Sequence, residues 1–251
     1  MTMEAAAAAP AADRMPDPAK LNPLIERALG DVAAAYSGVL VSIGHHLGLY
    51  RAMKDAGPLS PAELARRSGA AERYLREWLN AQAAAGYVTY HPARGAYELT
   101  PEQAFVFADE DSPAFLPLAW QVVAAMWADE AQSTEAIRSG KGVSWGAHDH
   151  RLYCGVAAFF RNGYRASLVS EWLPALDGVV GKLQAGAKVA DIGCGHGHST
   201  VLMAQAFPKS RFWGFDVHAD SIEAARRHAQ EAGVADRVTF EVAKADAYST
   251  M

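Results

Sequence analysis

Between residues 186 and 242 short apolar runs alternate with stretches in which apolar residues recur every third or fourth place. Lys188 to Ile192 is an apolar run broken by one acid, the pattern of a buried parallel strand. Ser199 to Phe207 predicts a helix, with Leu202, Met203 and Ala206 at helical spacing and Pro208 closing it. Arg211 to Asp216 predicts a second strand, Ser221 to Ala232 a helix ended by Gly233, and Val238 to Val242 a third strand. That alternating order predicts an open parallel sheet.

The earlier part of the chain has a different rhythm. Leu40, Ile43, Leu47 and Tyr50 fall on one face of a helix. Ser60 to Glu63 reads SPAE, a capping box with proline at the first helical position, and Gly69 closes the short helix it opens. Glu72 to Ala85 predicts a third helix, with Leu75 and Leu79 inward and Gly86 at its end. Tyr87–Tyr90 and Ala96–Leu99 then alternate as strands around the turn signal Pro92–Gly95. Three helices and a hairpin predict a winged helix-turn-helix. Asp111 to Leu183 reads as mostly helical and rich in aromatic residues.

The candidate chemistry lies at the end of the first C-terminal strand, where Val189 to Thr200 reads VADIGCGHGHST. Gly193, Gly195 and Gly197 predict a tight turn with no side chain blocking the backbone, followed by a helix N-terminus whose unpaired N–H groups face a ligand. Asp216 ends the second strand, where a nucleoside-binding fold places an acid on the ribose hydroxyls. A dinucleotide fingerprint would put Gly or Ala at position 198, and His198 stands there instead.

The run from Asp191 to Gly197, DIGCGHG, with Asp216 after the second strand, resembles the class I S-adenosylmethionine-dependent methyltransferases over roughly residues 186–247. The resemblance implies S-adenosylmethionine as cofactor. Asp191 and the loop Gly193, Cys194, Gly195 and Gly197 would then face its methionine end. Asp216 would hold the ribose, Val217 would lie beside the adenine, and Ala245 and Asp246 would supply a further contact to the base. It implies methyl transfer to a small-molecule acceptor, and names no catalytic residue.

Composition agrees with an intracellular α/β protein: 51% of residues are hydrophobic, 20% are charged, and two cysteines, Cys154 and Cys194, form no disulfide framework. Residues 1–20 form an Ala/Pro-rich tail without a secretory pattern, expected to be disordered. The most apolar stretch, Phe115 to Trp127, is too short to span the roughly 30 Å hydrocarbon core of a membrane. The expected location is cytoplasmic. The fold class expected is two-domain, α+β then α/β: a winged-helix domain over 21–110, a helical connector over 111–184 and a Rossmann-like domain over 185–251.

A winged helix raises the alternative of a DNA-binding transcriptional regulator whose cofactor domain is vestigial or a sensor. Between Arg51 and Glu102 seven basic residues face six acids, on a chain of net charge −5. Affinity for DNA comes chiefly from neutralising phosphates, so this balance argues against nucleic acid. The resemblance implies instead that the domain serves homodimerisation and helps wall the substrate site. Trp120, Trp127, Trp145, Tyr153, Phe159, Phe160 and Tyr164 either pack the interdomain core or line a pocket for an apolar, aromatic acceptor.

The histidines add little. His45 and His46 point to different helix faces, and Cys194, His196 and His198 cannot close a tetrahedral metal site from one tight loop. His148, Asp149 and His150 form an acid/base candidate in a loop rich in Gly and Ser. The resemblance implies a sheet of seven strands, of which three are found here, leaving strand 188–192 as an apolar edge. The chain is therefore expected to be a shortened form, of weak or no activity.

Overall fold

The structure, a computed structural model, describes residues 15–248. Helix α1 (Pro18–His46) opens it, capped by the Asp17 side chain, which accepts the Ala19 N–H. Pro18 to Lys20 therefore belong to a helix and not to the tail expected over residues 1–20; residues 1–14 of that tail lie outside the described residues. Short helix α2 (Leu49–Met53) follows the left-handed Gly48. Helix α3 (Pro61–Ser68) starts at the capping box, with Ser60 and Glu63 satisfying each other's backbone N–H, and ends at left-handed Gly69. Helix α4 (Glu72–Ala84) turns Leu75, Trp78 and Leu79 inward.

The hairpin pairs strand β1 (Thr89–His91) antiparallel with β2 (Ala96–Glu98), Tyr90 opposite Tyr97. Helix α5 (Pro101–Phe107) begins at a second capping box, made by Thr100 and Gln103. One core holds this domain together, with Val41, Leu49, Tyr50, Met53, Leu64 and Leu79 all essentially excluded from water.

The residues expected to share one face of a single helix are split between two elements. Ile43 and Leu47 are exposed, and Tyr50 lies on α2 beyond the helix end. The face that is buried carries Gly38, Val41 and Gly44. A Cβ on Gly38 would sit 2.2 Å from the Trp120 ring, and one on Gly44 2.4 Å from that of Trp78. Flat aromatic rings lie directly on the helix backbone there, where hydropathy gives no sign of contact.

The connecting residues form α6 (Ala119–Ala128), α7 (Glu130–Ser139), a 3₁₀ turn at Trp145–Ala147 and α8 (Arg151–Gly163). Beyond Gly163 the same helix widens into π turns over Tyr164–Trp172, and the Leu173 N–H reaches back five residues to the Leu168 carbonyl. Such wide turns are rare and often mark functional sites. Helix α9 (Val179–Ala185) leads to the sheet.

Strands β3 (Lys188–Ile192), β4 (Arg211–Asp216) and β5 (Val238–Val242) are parallel, in the order β3-β4-β5. Helices α10 (His198–Ala206) and α11 (Ala219–Glu231) make the crossovers. Phe212, Phe215, Ala204, Ile222, Ala225 and Phe240 form the core between sheet and helices. On α10 the buried residues are Thr200, Val201, Met203 and Ala204, while Ala206 is exposed. Among the described residues no strand pairs with the free side of β3. No described helix is long and apolar enough to cross a membrane.

Candidate functional site

Strand β3 delivers the chain to the glycine turn, and Gly193, Gly195 and Gly197 all take the left-handed conformation, with φ of 77°, 53° and 73°. Side chains rarely adopt that region, so the alternate glycines follow from the shape of the turn. A Cβ on Gly193 or Gly195 would meet nothing within 4 Å, because that side of the turn opens onto a hollow. A Cβ on Gly197 would fall 2.6 Å from Phe240 and 2.8 Å from Ala225, so this glycine lets the turn seat against the sheet.

The turn is tied down more fully than expected. Gly193 and Cys194 both donate to the Phe215 carbonyl, at 2.7 and 3.1 Å, and Gly197 donates to the Cys194 carbonyl at 2.9 Å. Gly195 donates to Asp216 Oδ2 at 2.9 Å. The N–H groups of these four turn residues are thus engaged within the chain. What the turn offers is bare backbone and open space.

Asp216 bridges the ends of two elements. Its Oδ1 accepts the His218 N–H at 2.9 Å, just before α11. A carboxylate has about four acceptor positions, so two remain for a diol. Asp191 is committed to the start of α10: its Oδ2 accepts from Ser199 Oγ at 2.9 Å and from Thr200 Oγ1 at 2.6 Å. These two hydroxyls were not singled out from the sequence, although their place at a helix start beside an acid was a usable signal. Cys194 is buried, and burial, together with the Asp191 and Asp216 charges, pushes its thiol well above the usual range. It stays a protonated packing group.

The hollow, of about 360 Å³, joins two walls. The first holds Asp191, Gly193, Cys194, Gly195 and Asp216; the second holds Trp145, Tyr153, Phe160 and Tyr164 from the connector. Tyr153 stacks on His218, ring centroids 4.3 Å apart, and His218 in turn shares a 2.8 Å hydrogen bond with Ser221. That contact fastens α8 to the start of α11. Burial and the Asp191 charge raise the Tyr164 hydroxyl, so it faces the hollow as a neutral phenol. The other expected aromatics go elsewhere. Trp120 and Trp127 lie along α1, and Phe159 packs edge-on against Phe160 without lining the hollow.

Of the expected cofactor contacts, Val217, Ala245 and Asp246 do not line this hollow, and Val217 is largely exposed. Three histidines not expected to act together do meet beside it: His198 stacks on His228 at 4.6 Å, and His228 Nδ1 donates to the His196 carbonyl at 2.9 Å. Burial, then the neighbouring His228 and His196, lower His198 to about 3, so it is neutral at ordinary pH.

The expected acid/base cluster serves the fold. His148 Nδ1 bonds the buried Asp129 at 2.7 Å, and Asp129 also accepts the Asp149 N–H at 3.0 Å. The Arg151 guanidinium and N–H hold the Asp149 carboxyl well below its usual range. None of His148, Asp149 and His150 lines the hollow.

On helix α4, Arg73 pairs with Glu77 and Arg76 with Glu72, so both arginines are already matched within the helix.

Known proteins can now be set beside this geometry. Residues 35–108 match the family described as the Rv2258c-like winged HTH domain, and residues 183–250 match that described as a methyltransferase domain. Three solved structures share the fold. An O-methyltransferase family protein from Burkholderia thailandensis is 18% identical, with a TM-score of 0.61, covering 92% of this chain and 65% of that one. The mitomycin 7-O-methyltransferase MmcR is 21% identical, with a TM-score of 0.65, covering 90% of this chain and 68% of that one. NcsB1, an O-methyltransferase from neocarzinostatin biosynthesis solved with S-adenosylmethionine and 2-hydroxy-5-methyl naphthoic acid, is 20% identical, with a TM-score of 0.59, covering 86% and 66%. The chain spans about two thirds of the length of the structures it matches. The chain thus carries a winged helix-turn-helix domain followed by a methyltransferase domain.

Proposed function

We propose that this chain transfers a methyl group from S-adenosylmethionine to an oxygen of a flat, apolar small molecule. The observation that carries the reading is the two-walled hollow, with a bare glycine turn and two carboxylates facing four aromatic rings. The turn fits the cofactor because Gly193 and Gly195 leave space where side chains would stand. Asp216 would hold the ribose hydroxyls on its two remaining acceptor positions, and Asp191 and the turn would lie along the methionine end. The cofactor supplies a methyl activated on a sulfonium. The protein's part is to align the acceptor and exclude water, which the aromatic wall does by shape. Val217, Ala245 and Asp246 would complete the adenine side; since none lines the hollow, affinity for the cofactor is expected to be weaker than low micromolar.

We take residues 21–110, 111–184 and 185–251 as the working units, the first serving association of two copies and the walling of the site rather than nucleic-acid binding. The test is incubation with S-adenosylmethionine carrying a labelled methyl and a panel of hydroxylated aromatic acids and amines. Label on an aromatic hydroxyl supports the reading. Label on sugars or nucleic acid alone would remove it.

A further inference from the structure

The glycine turn and the aromatic wall are far apart in sequence, and His218, which does not itself line the hollow, stands between them. Toward the turn, its N–H donates to Asp216 Oδ1 at 2.9 Å, while Oδ2 of the same carboxylate holds the Gly195 N–H at 2.9 Å. Its ring Nδ1 shares a 2.8 Å hydrogen bond with Oγ of Ser221, a buried residue of α11 that lines the hollow. Backbone and ring are therefore each held by a group of the cofactor wall.

Toward the aromatic wall, the same ring meets Tyr153 of α8, with centroids 4.3 Å apart and planes tilted by 49°. It also meets the 3₁₀ turn. A Cβ on Gly146 would fall 3.0 Å from the ring's Cδ2, closer than ordinary packing, so the backbone of that turn lies against the imidazole. Gly146 follows Trp145, a wall residue. The far end of the turn is anchored by His148, which bonds the buried Asp129 at 2.7 Å. Trp145 and Tyr153 thus take their places from one imidazole. Phe160 and Tyr164 stand two and three turns farther along the helix.

This arrangement has a consequence for binding. A ribose diol on the remaining acceptor positions of Asp216 fixes the carboxylate, and through it the His218 backbone. A steadier His218 holds the 3₁₀ turn and Tyr153 in one place. Coupling between two binding events is reciprocal, so an acceptor that steadies the wall raises the affinity for the cofactor by the same factor.

We infer that His218 is a positioning residue for methyl transfer, carrying the occupancy of Asp216 to Trp145 and Tyr153, so that the acceptor's surface is set once the ribose is bound. The inference rests on the proposed placement of the ribose on Asp216 and adds the residue through which the two halves of the site communicate.

The test is hydrogen exchange read by mass spectrometry on the full chain, with and without S-adenosylhomocysteine at a concentration that saturates the calorimetric signal. In the unaltered chain the ligand is expected to slow exchange over residues 193–198 and, by about fivefold or more, over residues 145–153. In His218→Ala, again at saturation, the turn is expected to be slowed and residues 145–153 left unchanged. His218→Phe keeps the ring and is expected to restore the effect. His218→Asn keeps a partner for Ser221 without the ring and is expected not to. Slowing of 145–153 that persists in His218→Ala overturns the inference. So does an unaltered chain in which slowing is confined to the turn, an outcome that leaves the cofactor site standing. No slowing anywhere removes the cofactor site and the inference together. Should His218→Ala fail to fold by circular dichroism, Gly146→Val decides, since it pushes the 3₁₀ turn off the ring without touching α11. Ligand-dependent slowing of 145–153 retained in that variant would overturn the inference.

Discussion

The Asp216 carboxylate accepts the Gly195 N–H at 2.9 Å, so the residue expected to hold a ribose also pins the turn beside it. One change at this position therefore tests both the shape of the turn and the placement of the cofactor. Asp216→Asn keeps the size but replaces one acceptor with a donor. A hydrogen bond to a charged group contributes about 1.5–3 kcal/mol, equivalent to roughly ten- to a hundredfold in affinity. Calorimetry with S-adenosylhomocysteine should show a loss of that size, and Asp220→Asn, in the first turn of the following helix, should show none. Equal affinity in both variants would remove the ribose assignment.

Gly214 lies in the middle of β4 under the Phe240 ring. A Cβ there would stand 2.4 Å from Phe240 and 2.9 Å from Cys194 Sγ, both buried. Overpacking a filled core costs about 1–3 kcal/mol. Urea unfolding of Gly214→Ala should show a loss in that range, and Phe240→Leu added to it should recover part. Wild-type stability in Gly214→Ala would mean that the sheet does not pack as described.

Gln82 is buried in the winged domain, where the Tyr50 hydroxyl donates to its Oε1, and its Nε2 has no partner among the described residues. Tyr50→Phe strands the remaining acceptor as well. The expected cost is about 1–3 kcal/mol by thermal or urea unfolding. The pair Tyr50→Phe with Gln82→Leu removes every buried polar atom of this contact and should be more stable than Tyr50→Phe alone. A double variant less stable than the single would refute this account.

Neutral His198 makes stability depend on pH. Its protonation is lowered from 6.5 to about 3 in the fold, so between those values the unfolded chain binds the extra proton. The contribution is complete above about pH 6.5 and is lost as pH falls toward 3. His198→Phe should flatten the fall in melting temperature over that window. An unchanged slope would show that His198 does not sit among His196 and His228 as described.

Much of this architecture was readable in advance because its signals are local. The capping box at Ser60, the left-handed Gly69 and the β3-α10-β4-α11-β5 order depend on residues a few places apart, which the chain cannot rearrange. The glycine turn and Asp216 were legible for the same reason. Hydrophobicity gave no sign of the buried face of α1, since Gly38 and Gly44 carry no side chain and yet receive Trp120 and Trp78. The π turns after Gly163 left no trace, because slipping a hydrogen bond by one residue changes no composition.

The glycine-lined turn was thus written into one short run of residues, where strand end, turn and helix start are neighbours in the chain. The aromatic wall opposite it was decided only in three dimensions. Tyr153, Phe160 and Tyr164 share helical spacing with residues that pack elsewhere, and Trp145 stands on a separate turn; only the docking of α8 on α10 and of Tyr153 on His218 selects them. Periodicity tells which residues share a face; what that face meets depends on contacts between residues distant in sequence.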